Sequence, residues 1–247
     1  MDIRILGAIS LIGALPGCHT IRPEPFLLDA PFLVAFSSTF AERIGDDSVG
    51  TMTLALRVSP DSVVGIIKGF YHDSLTQFVM TRFEPRSLRL IQVRDSGTSA
   101  WEELTYGDRQ LRGMSLIQNR RGAFDTVHLN RPIDSLTVDR RSLLTIVPWL
   151  PLTTGRVFTL RIYDPTYHTV YPVLITVTEK VPIAVPAGRF EAHRVMVTTQ
   201  APKWVGSCGG LFPTVLWIRA DGSRQIIRVE RPTQRAIYNL INTAAQE

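Results

Sequence analysis

The stretch Thr51-Met52-Thr53-Leu54-Ala55-Leu56-Arg57-Val58-Ser59-Pro60-Asp61 alternates without a break up to its closing turn. Met52, Leu54, Leu56 and Val58 fall on one face and Thr51, Thr53, Ala55 and Arg57 on the other, because successive side chains of a strand point to opposite sides. A period of two marks a half-buried strand rather than a helix, and Ser59-Pro60-Asp61 supplies the turn that ends it. Working outward, the same pattern occurs at 32–40, 63–70, 76–83, 87–94, 101–106, 110–118 and 122–130, and again at 156–163, 169–180, 189–200, 213–220 and 224–231. Each segment is bounded by Asp, Gly, Pro or Asn, as strands are. Asp221-Gly222 between two such segments is a hairpin signal. Residues 235–241 fit either period, and the tail from 242 to 247 reads as loose.

One segment departs from the alternation. Asp134-Ser135 can cap a helix that places Leu136, Leu143, Leu144 and Val147 on one face, with Pro148 as its stop. The spacing predicts one short helix over 134–147. About thirteen strands at ~4.8 Å spacing make a sheet ~60 Å wide, whereas one helix is ~10 Å across. The helix cannot cover such an apolar face, and an uncovered one would aggregate. The expectation is therefore an all-β chain whose large antiparallel sheet curls into a barrel or half-barrel. A single β domain would span 32–241. A curled sheet of this size can enclose space that a ligand fills, with Met52, Leu54, Leu56, Trp149 and Trp217 as candidate lining residues. The alternative is a fully packed interior that binds nothing.

The 247 residues are 45% hydrophobic and 20% charged, a globular balance that excludes a disordered chain. No stretch reaches the ~18 apolar residues of a membrane span, so the body reads as soluble. The net charge is +5, and of 27 basic residues only Lys68, Lys180 and Lys203 are lysine. The arginines do not cluster on one element and no nucleic-acid motif accompanies them, so no nucleic-acid partner is expected.

The N-terminus reads as a targeting segment. A short charged start precedes an apolar run over 5–15 and then Pro16-Gly17-Cys18. That run has the length of a signal-peptide core and is too short to span a bilayer. Leu15-Pro16-Gly17-Cys18 resembles the bacterial lipobox, which implies cleavage after residue 17 and a diacylglycerol on Cys18. Residues 1–17 are then a signal peptide, and 18–31, with Pro23, Pro25 and Pro31, a lipid-anchored tether. An ordinary secretory signal cut nearby is the alternative. Cys208 is the second of two cysteines. If Cys18 is acylated no disulfide framework exists, and a Cys18–Cys208 bridge is the rival.

Two stretches carry a family resemblance. One is Pro182-Ile183-Ala184-Val185-Pro186-Ala187-Gly188-Arg189-Phe190-Glu191-Ala192, the other Leu216-Trp217-Ile218-Arg219-Ala220-Asp221-Gly222-Ser223-Arg224. With Thr81-Arg82, Glu84-Pro85 and Leu88 upstream, they resemble a bacterial envelope family of unknown function with a Val-Pro-Ala-Gly-Xaa-Phe signature. Its fold is similar to the open, curved sheet of outer-membrane lipoprotein carriers and receptors. The resemblance covers roughly residues 32–231, and it implies an outer-membrane lipoprotein facing the periplasm. Physically, Pro186 and Gly188 flank a tight turn that aims Phe190 at the core, and Trp217 is better placed for packing than for a ligand.

Catalytic chemistry is not visible. Neither a nucleophile elbow nor a P-loop occurs. His19, His72, His128, His168 and His193 stand apart from one another, without metal-ligand spacing. His72-Asp73 is the nearest approach to a ligand pair, and Asp46-Asp47 reads as a solvated loop. Glu102 and Glu103 are strand neighbours pointing to opposite faces, so they cannot share a site. No cofactor or metal is expected. Three functions remain. The first is a non-enzymatic module binding or carrying a lipid or acyl ligand. The second is an assembly lipoprotein contacting envelope proteins, and the third, least favoured, a hydrolase.

Overall fold

The computed structural model describes residues 34–98, 100–119, 121–199 and 213–245. The chain opens with the hairpins β1 (Phe36–Ile44)/β2 (Asp47–Val58) and β3 (Val63–Tyr71)/β4 (Ser74–Phe83). It continues as a meander through β5 (Leu90–Gly97), β6 (Ala100–Tyr106), β7 (Gln110–Gln118) and β8 (Phe124–Pro132). After the short β9 (Thr137–Asp139) come β10 (Val157–Asp164), β11 (Thr169–Val185), β12 (Gly188–Thr199), β13 (Thr214–Arg219), β14 (Ile226–Arg231) and β15 (Ala236–Ala245). All fifteen belong to one sheet, ordered β8-β7-β6-β5-β4-β3-β2-β1-β15-β14-β13-β12-β11-β10-β9. Two meanders are thus joined along β1 and β15, the first and last strands. β15 runs on through 242–245, the stretch expected to be loose, because β1 pairs with it as far as Phe36↔Ala245.

The neighbours are antiparallel except β9 and β10, which run parallel. A parallel pair needs a crossover of about a dozen or more residues, usually helical, and this is where the sequence breaks its period. The crossover contains a 3₁₀ turn (Arg140–Ser142), the helix α1 (Leu143–Ile146) and a second 3₁₀ turn (Val147–Trp149). The helical segment is therefore shorter and later than the 134–147 expected. Its cap is Asp139, whose Oδ1 accepts from the Arg141 backbone N–H at 2.9 Å. Asp134 instead closes a local turn onto the Leu136 N–H, Leu136 is exposed, and β-branched Thr137 and Val138 enter the sheet.

The sheet curls but does not close. β9 folds back against β5, and the first 3₁₀ turn lies against β4, while β8 keeps a free edge. The result is a half-barrel whose concave face holds the crossover. Inward-facing residues form rows across the strands. Phe40, Met52, Gly69 and Gln77 oppose one another across β1 to β4. The next row, farther from the hairpin tips, is Ser38, Leu54, Ile67, Val79, Asp95, Glu102 and Ser115. Gly65 lies in the row beyond, and a Cβ there would collide with the Thr145 and Thr81 hydroxyls. Glycine at 65 is what lets α1 sit directly on β3.

The quoted motifs take their places as folding features. Val185 pairs with Gly188 across a two-residue turn, Gly188 has φ of 135°, and Phe190 packs on the core beneath the Arg219 guanidinium. β13 and β14 pair as the Asp221-Gly222 signal required, through a six-residue connection pinned by Asp221 accepting from the Ser223 N–H.

Candidate functional site: a cavity and its ionic clasp

Between the strands and the crossover lies a cavity of about 610 Å³. Its walls come from Met52, Ile67 and Val79 on one side, Val197 and Leu216 on the other, and Leu143 and Leu144 from the crossover. The period-two alternation of each strand aims these side chains inward. The volume lies within the ~300–1,000 Å³ typical of small-molecule sites. The mouth lies where the β1–β2, β3–β4 and β14–β15 connections meet. Tyr71 there is 53% exposed, and Ile44, Leu75 and Ile237 are also exposed apolar residues of these strand ends. His72 and Asp73, the candidate ligand pair, form the two-residue β3–β4 turn with φ of 45° and 61°.

Charged groups at the mouth are arranged around Tyr238. Its hydroxyl donates to Glu42 Oε1 at 2.7 Å and accepts from Arg231 Nη1 at 3.3 Å, and the Arg231 guanidinium lies 5.1 Å above the ring. Burial pushes the Tyr238 hydroxyl up to about 12, with Arg231 opposing and Glu42 reinforcing. The hydroxyl therefore stays protonated at neutral pH and remains a donor to Glu42.

At the inner wall of the cavity, Arg141 reaches from the crossover into the sheet. Asp95 and Glu102 are direct cross-strand neighbours on β5 and β6, an arrangement that repels unless neutralised. Arg141 contacts Asp95 at 3.0 Å, Glu102 at 2.6 Å and Asp139 at 2.8 Å. Tyr106 donates to Asp139 at 2.6 Å and Ser115 donates to Glu102. Burial alone would raise the Asp139 carboxyl, but the charge and hydrogen bonds of Arg141, with the Tyr106 hydroxyl, hold it below its ordinary value. Burial first, and Asp139 second, push the Tyr106 hydroxyl far up. A second pair, Arg140 with Asp164 at 3.1 Å, is backed by Tyr171 donating to the same carboxylate at 2.6 Å. These groups clasp the β9 end of the sheet to β5 and β6, where no ladder closes it.

The candidate lining residues separate on inspection. Met52 lines the cavity. Leu54 and Leu56 share its face but are sealed in the core at 2% exposure, and Trp149 is buried at the end of the crossover. Trp217 alternates with cavity-lining Leu216 and so points to the opposite face. There it donates to Glu230 at 3.0 Å beneath the Arg194 guanidinium, a packing role. Glu102 and Glu103 diverge as alternation requires, Glu102 onto Arg141 and Glu103 onto Arg94 at 2.7 Å. Sequence reasoning missed the Glu42–Tyr238–Arg231 group and the clasp. The one available signal was a run of polar residues at inward positions, and it appears only once the register is known. Cys18, His19, Trp204 and Cys208 lie outside the described residues.

The fold and the cavity define a class: an open, barrel-like β-sheet wrapped around an internal cavity. The chain belongs to DUF3108, a family of proteins of unknown function, whose profile matches residues 48–235. It is similar in fold to a β-barrel-like protein of the domain of unknown function DUF1849 from Brucella abortus. The TM-score is 0.55 and the identity 8%, over 87% of this chain and 99% of that one. A second solved structure, of a protein with a YmcC-like fold from Bacteroides fragilis, aligns over 85% of this chain and 94% of its own. Its TM-score is 0.30 at 10% identity. Comparison with curated proteins finds no sequence match. No helix among the described residues is long and apolar enough to cross a membrane.

Proposed function

We propose that this protein is a non-enzymatic binding or carrier module that takes an apolar, lipid-like ligand into its half-barrel. The observation that carries this reading is the cavity of about 610 Å³, walled largely by apolar side chains such as Met52, Ile67, Val79, Leu143 and Leu216, with a charged group at its mouth. A packed sheet has no use for such a space, since interiors otherwise fill to crystal-like density. The test is an environment-sensitive apolar dye. It is expected to bind the folded protein saturably and to be displaced by a fatty acid. Non-saturable binding, or a dye that fatty acid does not displace, ends the carrier reading.

The anchor completes the proposal. Acylation at Cys18 and retention at the outer membrane, facing the periplasm, would hold the carrier beside the lipid it handles. Cys18→Ser is expected to leave the protein unprocessed or released from membranes on fractionation. A variant that stays membrane-bound and processed like its parent rules the anchor out.

A second reading, an assembly lipoprotein, is favoured by the free edge of β8. It is nine residues long and mostly exposed, and an unpaired edge is a template for strand addition from a partner. Cross-linking that captures one envelope protein through β8, with no lipid co-purifying, would decide for it.

A further inference from the structure

We propose that the ligand is a single-chain amphiphile with a zwitterionic head group, its anionic part on Arg231 and its cationic part on Glu42. The proposal rests on the carrier reading above and names the chemistry of the ligand at that same cavity. Both residues line the cavity at its mouth, and both are half-buried. Glu42 has no cation within ion-pair distance among the described residues, and Arg231 no carboxylate. Each is held by the neutral hydroxyl of Tyr238, at 2.7 and 3.3 Å. Two opposite charges are thus kept apart by one phenol, although direct contact would neutralise both. A guanidinium has five donors, and Arg231 spends one on Tyr238. Glu42 likewise retains an unoccupied oxygen, Oε2. Half-buried charges left this way offer strong, charge-assisted hydrogen bonds to a complementary ligand.

The other cations of the cavity do not compete for the head group. Arg141 is surrounded by Asp95, Glu102 and Asp139, and Arg140 is paired with Asp164. Deep in the cavity the wall presents Arg140 and Arg141, whose charge is already balanced by four carboxylates behind them, whereas Arg231 at the mouth has no carboxylate within ion-pair distance among the described residues. The apolar walls lie inward of this group, on Met52, Ile67, Val79 and Leu216. A tail inside with a head at the rim therefore satisfies both regions. Size suits the tail: at ~30 Å³ per water-sized group, a cavity of about 610 Å³ has room for an acyl chain.

The test is dye displacement by three amphiphiles of equal chain length, used below their micelle concentrations. They are lysophosphatidylethanolamine (zwitterionic), lysophosphatidylglycerol (anionic) and monoacylglycerol (neutral). The zwitterion is expected to bind tightest on the parent protein. Arg231→Gln is expected to weaken both phospholipids about tenfold, and Glu42→Gln to weaken the zwitterion alone about tenfold. Monoacylglycerol should be unchanged in both variants, which also shows that the cavity is intact. Equal displacement by all three on the parent protein overturns the head-group assignment and leaves the carrier reading standing. Displacement by none of them removes both. The parent comparison needs no variant to fold, so it decides the matter alone if a substitution disrupts the mouth.

Discussion

Arg141→Met is expected to lower the unfolding free energy by ~3–5 kcal/mol at neutral pH, the usual effect of removing one partner from a buried ion pair. Whole domains have only ~5–15 kcal/mol, so the variant should be largely unfolded at modest urea. The reason is specific to the site. Asp95 and Glu102 face each other across β5 and β6, and Asp139 is fully buried beside them. Without the guanidinium, buried Asp139 and Glu102 and half-buried Asp95 are left together with no cation between them. Acid should narrow the gap between parent and variant. The folded Asp139 lies below its ordinary value, so its contribution in the parent is complete above the unfolded value of ~3.9 and is lost as pH falls through the folded value. The variant has lost that contribution already, and its stranded carboxylates take up protons at higher pH. Urea melts of both proteins at pH 7.5 and pH 4.5 check this: a difference that is small at pH 7.5, or that widens at pH 4.5, is incompatible with the clasp. Replacing the cluster as a whole, by Arg141→Met with Asp95→Asn, Glu102→Gln and Asp139→Asn, should recover much of the loss, because no charge is then left unpaired.

The clasp also shows what a sequence hides. Strand faces were legible because alternation is local: Met52, Leu54 and Leu56 declare one face without knowledge of any partner. The curl was legible because about thirteen strands and one helix cannot otherwise cover an apolar surface. The pairing of β1 with β15 was not, since it joins Phe36 to Ala245 and no local pattern encodes a contact of that range. Asp95, Glu102 and Ser115 form one inward row only after two hairpin registers are set. Their cation comes from a crossover whose helix appeared to begin at Asp134. That misplacement had a physical cause, because Asp134 and Asp139 are both acceptable caps. The choice fell to Asp139 once Thr137 and Val138 could pair with β10. Tyr238 was obscured in the same way: it lies in the segment whose period fitted helix and strand equally, so its neighbours Glu42 and Arg231 could not be inferred.

Gly69→Trp is expected to weaken saturable dye binding at least tenfold while leaving the fold intact. Gly69 lies on β3 between Met52 and Gln77, and all three line the cavity. A Cβ at this position meets Gln77 Cβ and Thr76 Oγ1 at 3.6 Å, ordinary van der Waals contacts. The backbone therefore accepts a side chain, and the side chain projects into empty space. An indole with its methylene adds ten heavy atoms in one rigid block, so a substantial part of the 610 Å³ is filled and the space left has a different shape. Stability should hold or rise, since glycine in a strand costs ~0.5–1 kcal/mol relative to alanine and tryptophan suits a half-buried strand. Leu54→Trp lacks this property. Leu54 is sealed in the core, so enlarging it overpacks the interior at ~1–3 kcal/mol and does not enter the cavity. Gly65→Ala is the matched control, because a single methyl there meets Thr145 and Thr81. It should lower the melting temperature yet leave dye affinity in the folded fraction unchanged. Isothermal dye titrations and thermal melts on the two glycine variants separate the roles. A Gly69→Trp protein that melts like its parent and still binds dye at parental affinity would place the ligand somewhere other than this cavity.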